Sequence, residues 1–186
     1  IEKILHEYSD KYPNIKWTKL KKNIHIAGSS NEALKLAQGE FIALLDHDDL
    51  LMPNALFEVV KALNAHPEGD FFYSDEDKIE EGVGRLEPFF KPDWSPEFLK
   101  SCNYITHFSV LRKSIVDKIG GFRMGTEGAQ DWDLFLRFAK ESQNIIHIPK
   151  ILYAWRKSPT STASSADSKP FAYLNQRSVL RESVRD

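Results

Sequence analysis

The chain has 186 residues, 41% of them hydrophobic and 12% aromatic, which is enough apolar side chain for one well-buried core and too much for an intrinsically disordered segment. Lysine plus arginine (25) nearly balances aspartate plus glutamate (27), and the signs are interspersed, so there is no basic field of the kind that binds nucleic acid. One cysteine, Cys102, excludes a disulfide framework within the chain, fits a reducing compartment and reads as a small buried hydrophobe; no run approaches the roughly 18 apolar residues of a membrane-spanning helix.

The chain opens on Ile1-Glu2-Lys3-Ile4-Leu5 in helical periodicity with no cap ahead of it, so residues 1–9 read as the end of an amphipathic helix. Ile15 to Leu20 alternates like a half-buried strand, and a helix fits Asn31 to Gln38, stopped by Gly39. The run Phe41-Ile42-Ala43-Leu44-Leu45 is continuously apolar, which predicts a strand covered on both faces with Asp46 at its carboxyl end. Pro53 suits the first turn of a helix reaching about Ala65, and Asp70 to Ser74 reads as the next strand. From Glu76 to Ser101, the glycines at 82 and 84 and the prolines at 88, 92 and 96 predict a loop-rich segment with short strands or helices. Phe108 to Leu111 gives a strand, Ile115 to Ile119 a short helix ended by Gly120-Gly121, and Asp131 to Lys140 an amphipathic helix. Two strands, Ile145 to Ile148 and Ile151 to Trp155, flank Pro149, and a Ser/Thr-rich loop from Ser158 to Ser168 leads into a closing polar helix. No repeat or domain boundary interrupts this order, and the alternation of strands and helices predicts one α/β domain over residues 1–186.

Three carboxylates in four residues, Asp46-His47-Asp48-Asp49, follow the predicted buried strand. Open α/β sheets bind ligands just outside strand carboxyl ends, and carboxylates this close repel one another unless a cation neutralises them. Hard divalent ions such as Mg²⁺ and Mn²⁺ take oxygen ligands of this kind. The competing reading is a solvated turn whose acids cap the helix near Pro53. A calcium-binding EF-hand loop does not fit, because Leu50 and Phe57 stand where oxygen ligands are required. Haloacid-dehalogenase phosphatases also place Asp-x-Asp after a buried strand, but they require Gly-Thr next, where this chain has Asp49-Leu50.

The stretches His25-Ile26-Ala27-Gly28-Ser29-Ser30-Asn31 and Ala37 through Leu51 resemble the family 2 glycosyltransferases of GT-A fold. The similarity continues through Tyr73-Ser74-Asp75-Glu76-Asp77-Lys78-Ile79, Phe90-Lys91-Pro92-Asp93-Trp94-Ser95-Pro96 and Asn103-Tyr104-Ile105. Further on it takes in Gly120-Gly121-Phe122-Arg123, Glu127 through Leu134, His147-Ile148-Pro149-Lys150, and Trp155-Arg156 with Ser161-Thr162-Ala163, so it spans about residues 22–163. The middle motifs are similar to those of bacterial enzymes that build rhamnose-containing or O-antigen polysaccharides.

The resemblance implies a Rossmann-like mixed sheet flanked by helices, here lacking the first strands of the full domain. It implies an inverting transferase that moves a sugar from a nucleoside-diphosphate donor (a UDP- or dTDP-sugar) to a saccharide or lipid-linked acceptor, using Mn²⁺ or Mg²⁺. Asp46 and Asp48 carry the Asp-x-Asp motif, Asp48 as the direct metal ligand and Asp46 nearer the ribose or the metal's water shell, with Asp49 supporting the loop. Asp131 matches the family's base, although its place at a helix start also suits a capping acid. Donor binding falls to Asp46, Asn31 and Arg156, with Lys157 beside Arg156. Asp75, Asp77 and Trp132 are candidate acceptor or sugar contacts, the last by ring stacking, while Trp94 and Trp155 read as packing and Asp133 as structural or acceptor-contacting.

The chain departs from the family at Ala154, where many relatives carry a histidine before the Trp-Arg pair. It also lacks the Gln-x-x-Arg-Trp motif of processive synthases, which favours single additions. The expected setting is a longer, multidomain bacterial enzyme in the cytoplasm, at most peripheral to the inner membrane face. Without the upstream strands the piece alone is expected to have weak or no activity. The alternatives are a non-catalytic carbohydrate-binding or scaffold module of the same fold, which has no need of a base at Asp131, and the metal-dependent phosphatase.

Overall fold

A computed structural model describes residues 1–157 and 170–185; the Ser/Thr-rich segment expected from Ser158 to Ser168 lies outside the described residues. The elements run α1 (Glu2–Lys11), α2 (His25–Leu36), β1 (Phe41–Ala43), β2 (Leu50–Leu51), α3 (Ala55–Ala65), β3 (Phe71–Glu80), β4 (Gly84–Phe89), α4 (Pro96–Leu99), β5 (Ser109–Arg112), α5 (Lys113–Lys118), α6 (Gln130–Glu141), β6 (Ile145–Arg156) and α7 (Pro170–Arg185). The sheet has the order β1-β5-β3-β6-β2, with β4 attached to β3 as a hairpin. β3 and β6 are parallel, and every other pairing is antiparallel. This is the α/β architecture that the alternation of elements predicted, with the mixed sheet flanked by helices that the resemblance implied.

β3 is the axis of the packing because its side chains alternate across the sheet. Phe71 and Tyr73 enter one cluster with Leu111, Tyr104, Phe135 and Phe138, under α5 and α6. Phe72 enters the opposite cluster with Val110, Ile148 and Tyr153, against Ala55 and Val59 of α3. Burying each of these large side chains contributes roughly 1.5–3 kcal/mol. α6 presents Trp132, Leu134, Phe135, Leu136 and Phe138 to the first cluster, and α7 packs against α6.

Several expectations are corrected. Residues 15–20 form no strand, because they sit between α1 and α2 with no sheet edge to join. α2 begins at His25, ahead of the expected Asn31, and Pro53 lies just before α3, whose N-cap is Asn54. β1 is a terminal strand paired only with β5, and its side chains are half-buried or exposed, so the apolar run is not covered on both faces. β3 runs on to Glu80, past the expected Ser74, and turns into β4, which supplies the short strands expected in the loop-rich segment. The two strands expected around Pro149 are a single strand, β6. A shift of register, with Ser74 opposite Ile148 and Asp75 opposite Ile151, accommodates a proline that has no N–H for the ladder. Cys102 is exposed.

One glycine is fixed by its surroundings. Gly121 has φ +69°, and a Cβ there would lie 2.5 Å from Asn31 Oδ1. That contact fixes α2 to the turn after α5, since Asn31 Nδ2 donates to Phe122 O (2.8 Å) and Asn31 Oδ1 accepts from Phe122 N (2.9 Å).

Candidate active site

Beyond β1 the chain leaves the sheet, forms the acidic turn and re-enters it at β2. Asp49 N donates to Asp46 O at 3.2 Å, closing the turn. β6 holds the turn from beside it: the Tyr153 hydroxyl donates to Asp49 Oδ2 and accepts from Asp46 N (3.3 Å), while Arg156 N donates to Asp49 Oδ1 (2.8 Å). Arg156 Nε donates to Asp48 O at 2.6 Å. Asp49 is therefore committed to supporting the turn, and the Asp46 carboxylate is left to face the cleft.

That cleft, about 280 Å³, lies between α2, the outer end of β1, residues 106–107 and the start of α6; Asp46, Thr106, His107, Gln130 and Asp131 give it its polar wall. Its other wall is apolar, with Ile26, Ala33 and Leu34 of α2 and Ile42 of β1. Asp131 occupies the second position of α6, behind Ala129 as N-cap, and makes no side-chain cap; its Oδ2 accepts from Asn103 Nδ2 at 3.0 Å. Asp46 and Asp131, expected to work together, therefore share one cleft.

His107 was not singled out from the sequence, yet it stands at the centre of this wall. Its ring stacks on Tyr153 (4.7 Å between centroids, 13° between planes), with Nε2 4.0 Å from Asp46 Oδ2 and Nδ1 3.3 Å from Glu76 Oε2. Beneath it lies a buried ion pair: Lys91 Nζ donates to Glu76 Oε2 (3.1 Å), to Ile105 O (2.6 Å) and to His107 O. Glu76 Oε2 also accepts from Thr106 Oγ1 (3.0 Å) and from His107 N (3.2 Å). Glu76 and Lys91 thereby lock residues 105–107 against the sheet.

The electrostatics follow from burial and from these partners. Burial, joined by the charges of Asp49, Asp131 and Asp48, raises the Asp46 carboxyl above its ordinary value against the opposing pull of His107. Burial disfavours the His107 imidazolium, but Glu76 outweighs it and leaves His107 above its ordinary value. Burial would also raise Glu76, yet His107 and the Lys91 ammonium hold it at about 2. Burial lowers Lys91, a shift that Glu76 only partly reverses. The wall thus gathers acids that repel one another, the situation a bound cation relieves.

A cation fits the donor set. One ligand atom each from Asp46, Asp49 and His107 lies within 4.8 Å of the others. Carboxylate oxygens suit Mg²⁺ or Mn²⁺, and an imidazole nitrogen makes the set less suited to Mg²⁺. Asp48, expected as the direct ligand, is not among the residues lining the cleft; its Oδ1 lies 3.7 Å from His47 Nδ1.

The remaining expected contacts fall elsewhere. Asn31 does not line the cleft, because both ends of its amide are used on Phe122. Asp75 and Asp77 are buried strand residues rather than turn acids. Asp75 Oδ1 meets His147 Nε2 (2.8 Å) and accepts from Lys91 N (2.9 Å), and Asp77 Oδ2 accepts from Arg85 Nε (2.5 Å). Trp132 is 6% exposed and donates Nε1–H to Leu99 O (2.8 Å), so its ring is unavailable for stacking on a sugar. Asp133 is structural, gripped by Arg123 and by Arg137 Nε (2.8 Å). Lys157 is held in surface ion pairs with Glu80 and Glu87 (3.2 Å each), leaving Arg156 as the cation at the acidic turn.

The sequence profile described as Glycosyl transferase family 2 matches residues 1–120, well over half of the chain. The chain belongs to glycosyl transferase family 2. An uncharacterized protein of Sinorhizobium fredii is 44% identical to this glycosyl transferase chain over 184 residues, covering 98% of the chain and 20% of that protein. The O-antigen biosynthesis protein RfbC of Myxococcus xanthus is 37% identical over 164 residues, covering 88% of the chain and 13% of the relative. The chain therefore spans a fifth or less of the length of these curated relatives. Among solved structures, S. aureus TarS 1–349 in complex with UDP-GlcNAc superposes with a TM-score of 0.73 at 20% identity, over 96% of the chain and 52% of that structure, which shows the shared GT-A fold. The family match ends before Asp131, so the role of that residue in this glycosyl transferase rests on its place in the cleft. Among the described residues, no helix is long and apolar enough to cross a membrane.

Proposed function

We propose that this family 2 domain transfers a sugar, with inversion, from a nucleoside-diphosphate sugar to a saccharide acceptor in bacterial polysaccharide assembly. The observation that carries the reading is the cleft shared by Asp46, His107 and Asp131. It brings a cation-binding wall and a carboxylate base to one cavity, as displacement at an anomeric carbon requires. A relative named for O-antigen biosynthesis and a similar fold crystallised with UDP-GlcNAc support the class of acceptor and donor.

Asp46 and His107 are the residues that would hold Mn²⁺ or Mg²⁺, with Asp48 and Asp49 on the same turn. When bound, the ion neutralises the charge that gathers on the departing diphosphate. Arg156 adds a guanidinium beside the turn, suited to a phosphate oxygen. Asp131 takes the proton of the acceptor hydroxyl as that oxygen bonds to the anomeric carbon and the bond to the diphosphate breaks. The apolar wall of α2 limits water, which would otherwise compete as acceptor.

The test uses the full-length protein and a thermal-shift screen of UDP- and dTDP-sugars with Mn²⁺. The expected result is stabilisation by donor plus metal that Asp46→Asn abolishes, and Asp131→Asn keeping donor binding while losing turnover. Equal stabilisation in wild type and Asp46→Asn would remove the metal from this wall, and full turnover in Asp131→Asn would remove the base.

A further inference from the structure

We infer that Asn103 is a positioning residue for Asp131, clamping one carboxylate oxygen so that the other is left to the acceptor hydroxyl. The inference rests on the reading of Asp131 as the base and adds the group that orients it. Asn103 Nδ2 donates to Asp131 Oδ2 at 3.0 Å. A carboxylate only accepts, so the amide must turn its NH₂ toward Asp131 and its carbonyl away. That carbonyl, Asn103 Oδ1, is buried with no hydrogen-bond partner among the described residues. A buried acceptor without a partner is penalised, and a residue serving only to shape the loop would satisfy both ends of its amide, as Asn31 does on Phe122. Asn103 gives up one end to hold the other on Asp131.

The mount on which Asn103 stands is rigid on both sides. Cys102 N donates to Phe98 O (2.8 Å) and Tyr104 N to Cys102 O (2.8 Å). The buried Tyr104 accepts from Ser95 N through its hydroxyl (3.0 Å), and the carbonyl of the equally buried Ile105 takes the Lys91 ammonium. Asp131 rises from the first turn of α6, whose next residue, Trp132, is pinned to Leu99 O. Both partners of the hydrogen bond thus belong to fixed backbone. Among the described residues nothing donates to Asp131 Oδ1, so that oxygen is the one available to a ligand in the cleft. During transfer the proton passes from the acceptor oxygen to Asp131, and Asn103 neither gains nor loses one.

The experiment compares Asn103→Ala, the uncharged and similarly sized Asn103→Leu, Asp131→Asn and Asn103→Ala/Asp131→Asn in the full-length protein. Turnover is measured with the nucleotide-sugar that the shift screen identifies, and UDP or dTDP with Mn²⁺ is the binding probe. Both Asn103 variants are expected to lower kcat roughly 10- to 100-fold, the scale of a misplaced reacting group, while nucleotide affinity and donor KM stay unchanged. In the Asp131→Asn background, Asn103→Ala should remove no further residual turnover, because there is no base left to orient. Unchanged kcat in Asn103→Ala, nucleotide affinity that falls in step with kcat, or losses that multiply in the double variant would each overturn the inference. Asn103→Leu fills the same space without adding a charge beside Asp131, so misfolding of the alanine variant would still leave the comparison standing. Full turnover in Asp131→Asn alone would defeat the underlying reading of the base, an outcome seen without touching Asn103.

Discussion

Replacing Glu76 by glutamine removes the charge that faces both Lys91 and His107 while keeping the shape of the side chain. The Glu76 carboxyl is held at about 2 against an ordinary 4.5. At 1.36 kcal/mol per unit of difference, the folded state gains about 3 kcal/mol from its ionised form. The folded value lies below the unfolded one, so this stabilisation is fully present above pH 4.5 and is lost as pH falls through about 2. A second route gives the same scale: leaving a buried ammonium without its counter-charge costs roughly 3–5 kcal/mol. Urea denaturation of the 186-residue chain in EDTA, followed by tryptophan fluorescence, should therefore show Glu76→Gln less stable by about 3 kcal/mol near neutral pH. Around pH 3 the deficit should narrow to about 1 kcal/mol, because the unfolded carboxyl, at its ordinary 4.5, is by then protonated while the folded one is still largely ionised. A deficit that stays constant between the two pH values would refute the reasoning.

Tyr153→Phe should lose the hydroxyl's bonds to Asp49 and Asp46 while keeping the ring against His107, lowering stability by about 1 kcal/mol and Mn²⁺ affinity more noticeably, measured by calorimetric titration. Wild-type Mn²⁺ affinity in that variant would show that the acidic turn holds its form without β6. Asp133→Ala should destabilise the chain by roughly 1.5–3 kcal/mol, because it removes the buried carboxylate shared by Arg123 and Arg137 while Arg123 keeps Glu182 and Arg137 keeps Ile119 O and Gly121 O; a loss within about 0.5 kcal/mol in the same urea assay would contradict this. Gly121→Ala should lower stability by roughly 1–3 kcal/mol through its positive φ and the close approach of Asn31, and a melting temperature equal to wild type would contradict that geometry.

The parts of the fold legible from the sequence were those written in local periodicity. The alternating aromatics of β3 and the apolar stripe of α6 announced themselves, and Asp46, expected at a strand's carboxyl end, lies three residues beyond the end of β1 and lines the cleft. Pairing partners were not legible. The apolar run at Phe41 reads the same whether it lies inside a sheet or at its border, and only the strand order shows that β1 is terminal. The acids of β3 misled for a related reason: Asp75 and Asp77 look like a solvent-facing turn until His147 and Arg85, from distant or later sequence, are placed against them. Asn103 and His107 were passed over because a single polar residue among apolar neighbours has no local signature. The one available hint was the interruption of Tyr104-Ile105 and Phe108-Ser109-Val110 by side chains that a core strand would not choose.

The anchoring of residues 105–107 by Lys91 bears on any attempt to retarget the domain. Exchange of acceptor loops between related enzymes is usually planned as the transplant of one contiguous stretch, but here the stretch around Asn103 takes its shape from an ammonium borne by a separate part of the chain. A graft that carries Asn103 to Phe108 into a host without a lysine at the equivalent of position 91, or without the glutamate beneath it, would arrive with its carbonyls unanswered. Recombination across this enzyme class should therefore keep Glu76, Lys91 and the 103–107 stretch as a single inherited unit. Chimeras that split them should accumulate as insoluble protein, whereas those that keep them together should remain in the soluble fraction on expression.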